Sequence, residues 1–420
     1  MISVCIIAIG DELLNGFTLD TNSQWLKKKI SSTNATVVRS VIVPDQESSI
    51  SNELENALMK EYDFIIMTGG LGPTHDDITK QTLSIFLELP LFADKEYLEK
   101  LRNRLKKHLK VSDNNNERTM RDKMLTSQSF VLDGFNSISN KLGTALGMIG
   151  KKNNSTIIAL PGVPKELKQM FTDSIIPDYF SPSKKHSVIT FKTTGITESK
   201  LYLMLEDTIC KNINNFKFSF LPHFSGVNIR VLKLNNKELD QKLLDNLKNK
   251  LGSYCYGQDN DTLESIVSTL LLKNNITISL AESCTGGLLS KKLTDFSGSS
   301  KYLIGSIVAY SNQIKREFLK VPKDILDNKG AVSSDVALIM SNNIMKFFNS
   351  DMGVSITGIS GPGGGTLEKP VGLYYVSIKY RKKHFFKKFI FNIKDRDTHR
   401  QIVANTALNL IRLVLENNDG

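Results

Sequence analysis

Four short apolar runs, each ending abruptly in a polar or glycine-rich word, constrain this chain more than any other feature. Ile2–Ile9 runs into Gly10-Asp11-Glu12, and residues 63–68 run into Gly69-Gly70-Leu71-Gly72-Pro73-Thr74-His75-Asp76-Asp77. Residues 276–280 run into Ala281-Glu282-Ser283-Cys284-Thr285-Gly286-Gly287, and residues 353–357 into the glycine-rich 358–365. Short apolar runs bounded by turn residues read as buried strands. Between the first runs the spacing predicts helices, one from Thr21 or Asn22 burying Trp25, Leu26 and Ile30, another over 48–59, with a strand over 36–43. Strand–helix alternation of this kind gives a mainly parallel sheet covered by helices. Ligands of such sheets sit at the carboxyl ends of the strands, which is where the polar words fall.

At the first set of strand ends, Asp11 and Glu12 follow one strand, Asp45 the next, and the glycine-rich word the third. A glycine-rich turn opening a helix suits phosphate, because unpaired N–H groups and the helix dipole both favour an anion. Neighbouring carboxylates would hold a divalent cation bridging phosphate oxygens. The plainer alternative is that Asp76 or Asp77 only caps the next helix. Residues 97–110 and 115–125 read as charged helices joined by a soft 112–116, and Arg118 and Arg121 there either reach an anion or face solvent.

Ser283 falls where a strand meets a helix that buries one face with Leu288, Leu289 and Leu293. It is either an N-cap or a projecting nucleophile. The glycine pair Gly286-Gly287 removes bulk where an oxyanion would approach the backbone. Tyr310-Ser311-Asn312 ends another apolar run, 302–309, and Lys315 follows on the first turn of a helix. If both strands share a sheet, Ser283, Tyr310 and Lys315 meet at one end of it. A serine needs a base, and a lysine serves once burial disfavours its charge. Tyr310 would relay a proton or fix the lysine. Cys284 is either a rival nucleophile or a core residue.

At 420 residues the chain exceeds one ordinary domain. No apolar run approaches the roughly 18 residues that span a bilayer, and no basic stretch precedes the first run, so neither a membrane span nor a signal peptide is expected. The four cysteines show no paired spacing, which suits a reducing cytoplasm. The net charge of +11 raises nucleic acid as a partner, but the lysines are dispersed and the one dense cluster, 379–384, reads as a hairpin turn. Anionic small molecules account for the charge equally well. After Pro177 the composition changes, and residues 181–185 read as a linker. A strand (188–194), a helix (198–213), two strands (216–221 and 227–234) and a helix (239–251) follow, with no Gly-X-X-Gly loop between them to clamp nucleic acid. This unit reads as a spacer or dimerisation module. Further on, a helix over 335–348 is expected to bury Val336, Ile339, Met340, Ile344 and Phe347, and residues 371–380 and 384–392 to form a hairpin before a final helix over 398–415.

The words AESCTGG, AYSNQIK, Gly330-Ala331-Val332-Ser333, TGISGPGGG and EKPVG, in this order, resemble the C-terminal domain of CinA, the competence/damage-inducible family. That domain is similar to bacterial nicotinamide-mononucleotide (NMN) deamidases, which are Ser/Lys amidohydrolases. GDELLNG, TGGLGPTHDDIT and Leu160-Pro161-Gly162-Val163-Pro164-Lys165-Glu166 resemble the molybdopterin-binding-type domain that precedes it, and the βαββα unit resembles the KH-like middle domain. The resemblance implies an α/β chain of three domains: a mainly parallel molybdopterin-binding-type sheet over 1–177, a small KH-like α+β domain over 184–256, and the α/β deamidase domain over 260–420. It makes Ser283 the nucleophile, Lys315 the base, Tyr310 a helper and Thr357 a further active-site hydroxyl. Gly286 and Gly287 would line the substrate, and Arg396 would contact its phosphate, in a Lys-Asp-Arg where the family has Gly-Asp-Arg. In the N-terminal domain Asp45 and Asp77 match paired aspartates that would hold a divalent metal, magnesium or cobalt, while Gly69, Gly70, Gly72, Glu12 and Thr144 would face a nucleotide. The implied activities are hydrolysis of NMN to nicotinic acid mononucleotide and ammonia, with no cofactor, and metal-dependent cleavage of ADP-ribose. The expected protein is a cytoplasmic homodimer acting on small nucleotides, not on nucleic acid or membrane. A non-catalytic competence or DNA-damage accessory, or a molybdopterin-binding protein, is the alternative.

Overall fold

The computed structural model describes residues 2–106, 115–181, 188–224, 226–234, 240–393 and 395–417, the side chains of 105–121 excepted. The soft 112–114, most of the linker and the side chains of Arg118 and Arg121 lie outside the described residues. The chain forms two compact units, Met1–His186 and Ser187–Gly420.

The first unit contains β1 (Ile2–Ile9), β2 (Ala35–Val43), β3 (Phe64–Thr68), β4 (Leu91–Ala93), β5 (Phe130–Leu132), β6 (Asn136–Ile138), β7 (Gly147–Lys152) and β8 (Ser155–Leu160). Six of them form one sheet in the order β2-β1-β3-β8-β7-β6, and β4 pairs with β5 separately. The first four strands run parallel, because helices such as Thr21–Ile30 and Glu47–Met59 carry the chain back between them. The direction reverses at β7–β8, where only Asn153 and Asn154 connect the strands and Asn153 takes a positive φ of 53°. Both faces of β1 are covered: Cys5, Ile7 and Ile9 enter one core, Val4 and Ile6 another. Two-sided burial explains why this strand reads as a continuous apolar run without alternation.

The second unit holds two sheets. Strands β9 (Val188–Thr193), β10 (Phe216–His223), β11 (Gly226–Lys233) and β12 (Cys255–Gln258) pair antiparallel in the order β10-β11-β9-β12. Helices Glu198–Asn212 and Gln241–Leu251 share their core through Leu201, Leu205, Leu243 and Leu247. The expected unit lacks β12, since Cys-Tyr-Gly-Gln is too short and too glycine-broken to alternate visibly.

The other sheet comprises β13 (Ile278–Glu282), β14 (Leu303–Val308), β15 (Met352–Gly358), β16 (Leu373–Tyr380) and β17 (Lys383–Ile390), in the order β14-β13-β15-β16-β17. Strand β13 runs parallel to β14 and β15, so their carboxyl ends open at the same rim. One core receives helices Leu263–Lys273 and Arg396–Glu416, and a second receives helix Ser334–Phe347. Val336, Met340 and Ile344 are buried as expected, but Phe347 is exposed. The helix ends there, and Phe348 turns inward instead, its ring filling the space that a side chain at Gly305 would occupy. The final helix begins at Arg396, capped by Asp395 through Thr398 N–H at 2.7 Å, so Arg396 lies on a helix and not in the preceding loop. Among the described residues no helix is long and apolar enough to cross a membrane.

Gly69 tests how tightly the first sheet's rim is built. Its φ is +104°, and a Cβ there would overlap the carbonyl oxygen of Ile9 in the neighbouring strand. Gly69→Ala is expected to destabilise the first unit by more than about 1 kcal/mol, measured by urea denaturation, because backbone cannot yield as a flexible side chain can.

Candidate active site

The rim of the second unit is organised by Glu282, the last residue of β13. Its fully buried carboxylate accepts hydrogen bonds from the N–H groups of Gly287 (3.1 Å), Leu289 (3.0 Å) and Ser290 (2.8 Å), and from the Ser290 hydroxyl (2.5 Å). It thereby holds the orphan donors that open helix Leu288–Thr294. Capping is therefore not the task of Ser283. The serine backbone is tied to β15 through Ile356 O at 3.0 Å, and its Oγ accepts a hydrogen bond from Lys315 Nζ at 3.2 Å.

Lys315 reaches that oxygen from helix Asn312–Glu317, which Ser311 caps through Ile314 N–H. Its ammonium nitrogen also donates to the carbonyls of Ala309 (2.6 Å) and Tyr310 (3.2 Å), and the residue is 1% exposed. No salt bridge to a carboxylate is present at Lys315 among the described residues. Burial lowers its pKa to about 8 and so opens the neutral, basic form near physiological pH. Cys284, beside the serine, is buried and its thiol is pushed up to about 11, chiefly by that burial, which leaves it un-ionised and inert.

Two expectations about this site change. The Tyr310 hydroxyl does not face the lysine: it accepts from Arg396 Nη2 at 2.9 Å, and only the tyrosine's backbone carbonyl fixes Lys315. The N–H groups of Gly286 and Gly287 are also engaged, one closing the turn onto Ser283 O (3.1 Å), the other on Glu282. Within the turn the N–H of Thr285 has no acceptor among the described residues. Thr357, fully buried at the end of β15, donates its hydroxyl to Ala331 O at 2.8 Å and so ties the Gly330–Ser333 word to the same rim. Arg396 donates to Gly361 O (2.5 Å) as well as to Tyr310, bracing the glycine-rich loop against the 310 loop. Sequence reasoning missed Glu282 as the cap and missed Arg400, whose Nε and Nη2 both donate to Thr285 O, at 3.2 and 2.7 Å. The available signal was its position four residues after Arg396, on the same helix face.

In the first unit, Glu12, Asp45, Gly69, Gly70, Gly72, Asp77 and Thr144 line one cavity of about 530 Å³, together with Asp76 and Glu166. Gly72 lets the turn come close to Asp77, since a Cβ there would lie 2.5 Å from Asp77 Oδ2. Burial raises the pKa of Asp45, and the carboxylates of Asp11, Glu12 and Asp76 add to the effect against the hydrogen bond from Asp11 N–H. Mutual repulsion of this kind is what a divalent cation relieves. Asp77 spends one oxygen on Thr74, at 2.9 Å from its N–H and 2.5 Å from its hydroxyl. Among the described residues no three His, Cys, Asp or Glu side chains converge on one point. The donor set fits a magnesium-like ion that takes one or two carboxylates and completes its shell with phosphate and water oxygens.

Residues 260–415 match the CinA C-terminal domain, residues 189–257 the damage-inducible protein CinA KH domain, and residues 5–180 a probable molybdopterin binding domain. A putative competence-damage inducible protein of Clostridium tetani is 36% identical over 97% of this chain and 98% of its own length. The chain belongs to the CinA family. Another putative competence-damage inducible protein, from Thermoanaerobacter pseudethanolicus, is 38% identical over 98% of each chain. A solved competence/damage inducible protein from Agrobacterium tumefaciens is 35% identical, with a TM-score of 0.36 over 37% of this chain and 93% of that one. The three-domain α/β architecture of the CinA family is therefore the architecture of this chain, with the Ser283–Lys315 pair in its C-terminal domain and the carboxylate cavity in its molybdopterin-binding-type domain.

Glu282→Gln in this CinA-family chain keeps the side chain's size but sets an amide among four donors that need acceptors. It is expected to cost about 2–3 kcal/mol in chemical denaturation, the range for lost hydrogen bonds to a buried charge.

Proposed function

We propose that the C-terminal domain is an amidohydrolase that converts NMN to nicotinic acid mononucleotide and ammonia. The observation that carries this reading is a buried lysine, without a carboxylate partner, donating to a serine hydroxyl at 3.2 Å on the rim of a parallel sheet. An amine kept neutral by desolvation is a base, and among the described residues the serine is the only hydroxyl it bonds. Ser283 Oγ attacks the carboxamide carbon while its proton passes to Lys315 Nζ. The oxyanion takes the free N–H of Thr285. The C–N bond then breaks, Lys315 returns the proton to the departing nitrogen, and ammonia leaves. Water attacks the acyl ester, again giving its proton to Lys315, and nicotinate mononucleotide is released with Ser283 restored. Arg396, braced by Tyr310 and Gly361, offers its remaining N–H groups to the 5′-phosphate.

Ser283→Ala and Lys315→Ala are each expected to abolish ammonia release from NMN with the fold intact by circular dichroism, while Cys284→Ala keeps it. Since the charged lysine is inactive and its pKa lies at about 8, kcat/KM should rise with pH through that value and level off above it. An acid limb centred well below pH 7 would remove Lys315 as the base.

For the N-terminal domain we propose metal-dependent cleavage of the diphosphate of ADP-ribose. Asp45 and Asp77 would hold the divalent cation, which supplies a Lewis acid for the phosphate oxygens. The glycine turn Gly69–Gly72 would accept the diphosphate on its backbone, and Glu12 and Thr144 line the same cavity. Hydrolysis of ADP-ribose is expected to need magnesium or cobalt and to fall at least about 100-fold in Asp45→Asn or Asp77→Asn, measured by product chromatography. Both substrates are fragments of one dinucleotide, which supports joining the two activities in a single chain. The names of the relatives favour a second reading, a non-catalytic competence or damage accessory. Salt-sensitive binding of single-stranded DNA with no turnover of NMN would support it.

A further inference from the structure

The first turns of helix Arg396–Glu416 carry two arginines, Arg396 and Arg400, one helical turn apart. Arg396 braces the loops at Tyr310 and Gly361, as described above. Arg400 does something different. Its Nε and Nη2 form a fork on a single acceptor, the carbonyl of Thr285, in the turn that follows the nucleophile. That turn closes through Gly286 N–H onto Ser283 O at 3.1 Å. Its third residue, Thr285, carries an N–H with no acceptor among the described residues, and Gly286 sits at a φ of +59°. A Cβ on Gly286 would stand 3.2 Å from Arg400 Nη2, a tight contact that the guanidinium would have to yield to. From inside the turn, Glu282 fastens Gly287, and from outside, Arg400 fastens Thr285.

We propose that Arg400 is a positioning residue for the nucleophile turn: by clamping the Thr285 carbonyl it sets the orientation of Ser283 Oγ and of the Thr285 N–H that would receive the oxyanion. The inference rests on the serine-nucleophile reading of this rim. It assigns Arg400 to the turn because its Nε and Nη2 both bond one carbonyl of that turn, whereas Arg396 bonds the 310 and 361 loops. A planar, fixed fork suits this work better than the single point charge of a lysine. Misplacing a reacting group by about 1 Å costs on the order of 10²-fold in rate.

The test uses the full chain and two readouts. Arg400→Ala is expected to lower kcat for NMN by about 10²-fold with KM changed less than about twofold, since ground-state binding is untouched. Arg400→Lys should recover only part of that loss, because it restores the charge without the fork. Gly286→Ala, which pushes the guanidinium away, should show the same kcat-dominated defect. The second readout is labelling by a fluorophosphonate, in which Ser283 Oγ bonds to phosphorus, fluoride leaves, and the serine proton passes to Lys315. The three variants should label Ser283 at least about tenfold more slowly than the parent chain. If Arg400→Ala does not fold, Arg400→Lys and Gly286→Ala decide. A rise in KM at constant kcat would make Arg400 a phosphate contact and overturn the proposal. Undiminished labelling in the variants would overturn it too. A parent chain that labels at Ser283 yet releases no ammonia from NMN would refute the NMN reading while labelling still judges Arg400. A parent chain that does not label at all would remove both.

Discussion

Everything at the second unit's rim depends on the desolvation of one amine. Lys315 is enclosed by protein, and its nearest polar neighbours are two carbonyls and a hydroxyl, none of which carries a charge to stabilise the ammonium. A surface lysine would keep its proton far above physiological pH and could not deprotonate anything. Taken out of water by burial, the same amine loses much of that preference. The parallel pairing of β13 with β14 and β15 makes the enclosure possible, since it brings Ser283, the 309–310 carbonyls and Thr357 to one edge.

A second constraint is how the rim's donors and acceptors are shared out. Glu282 takes the helix-opening N–H groups, which releases Ser283 from capping. Arg400 takes the Thr285 carbonyl, Arg396 takes the Tyr310 hydroxyl and the Gly361 carbonyl, and Thr357 takes Ala331. Each loop at the rim is thereby tied to a neighbour by a charged or buried polar group, which is how a site on loops gains the rigidity of its sheet. The first unit solves a related problem differently. It gathers carboxylates and glycines around one cavity, an arrangement suited to a cation with a phosphate.

The strand ends and their words could be read directly from the chain, because apolar runs bounded by glycine have few alternatives as buried strands. The pairing of Ser283 with Lys315 was readable as a possibility once both lay at strand ends, and the structure sets the two atoms at hydrogen-bonding distance. Orientation was not readable. Nothing in Tyr310 itself says that its phenol turns to Arg396, 86 residues away, while its carbonyl takes the lysine. Nor does the Gly286-Gly287 pair disclose that both N–H groups are already engaged, one by a carboxylate five residues back. Phe347 was misplaced for a similar reason: helical spacing assumes the helix continues, and here it stops.

The sequence by itself determined the alternation of strand and helix, the rims where polar residues gather, and the family to which the chain belongs. These depend on local chemistry: apolar periodicity, glycine's access to positive φ, and short words that survive reading in one dimension. Tertiary structure alone decided which hydroxyl is free, which amine is dry, and which arginine holds which loop. Burial and hydrogen-bond partnership are properties of what surrounds a side chain, and most of those surroundings come from residues far away along the chain.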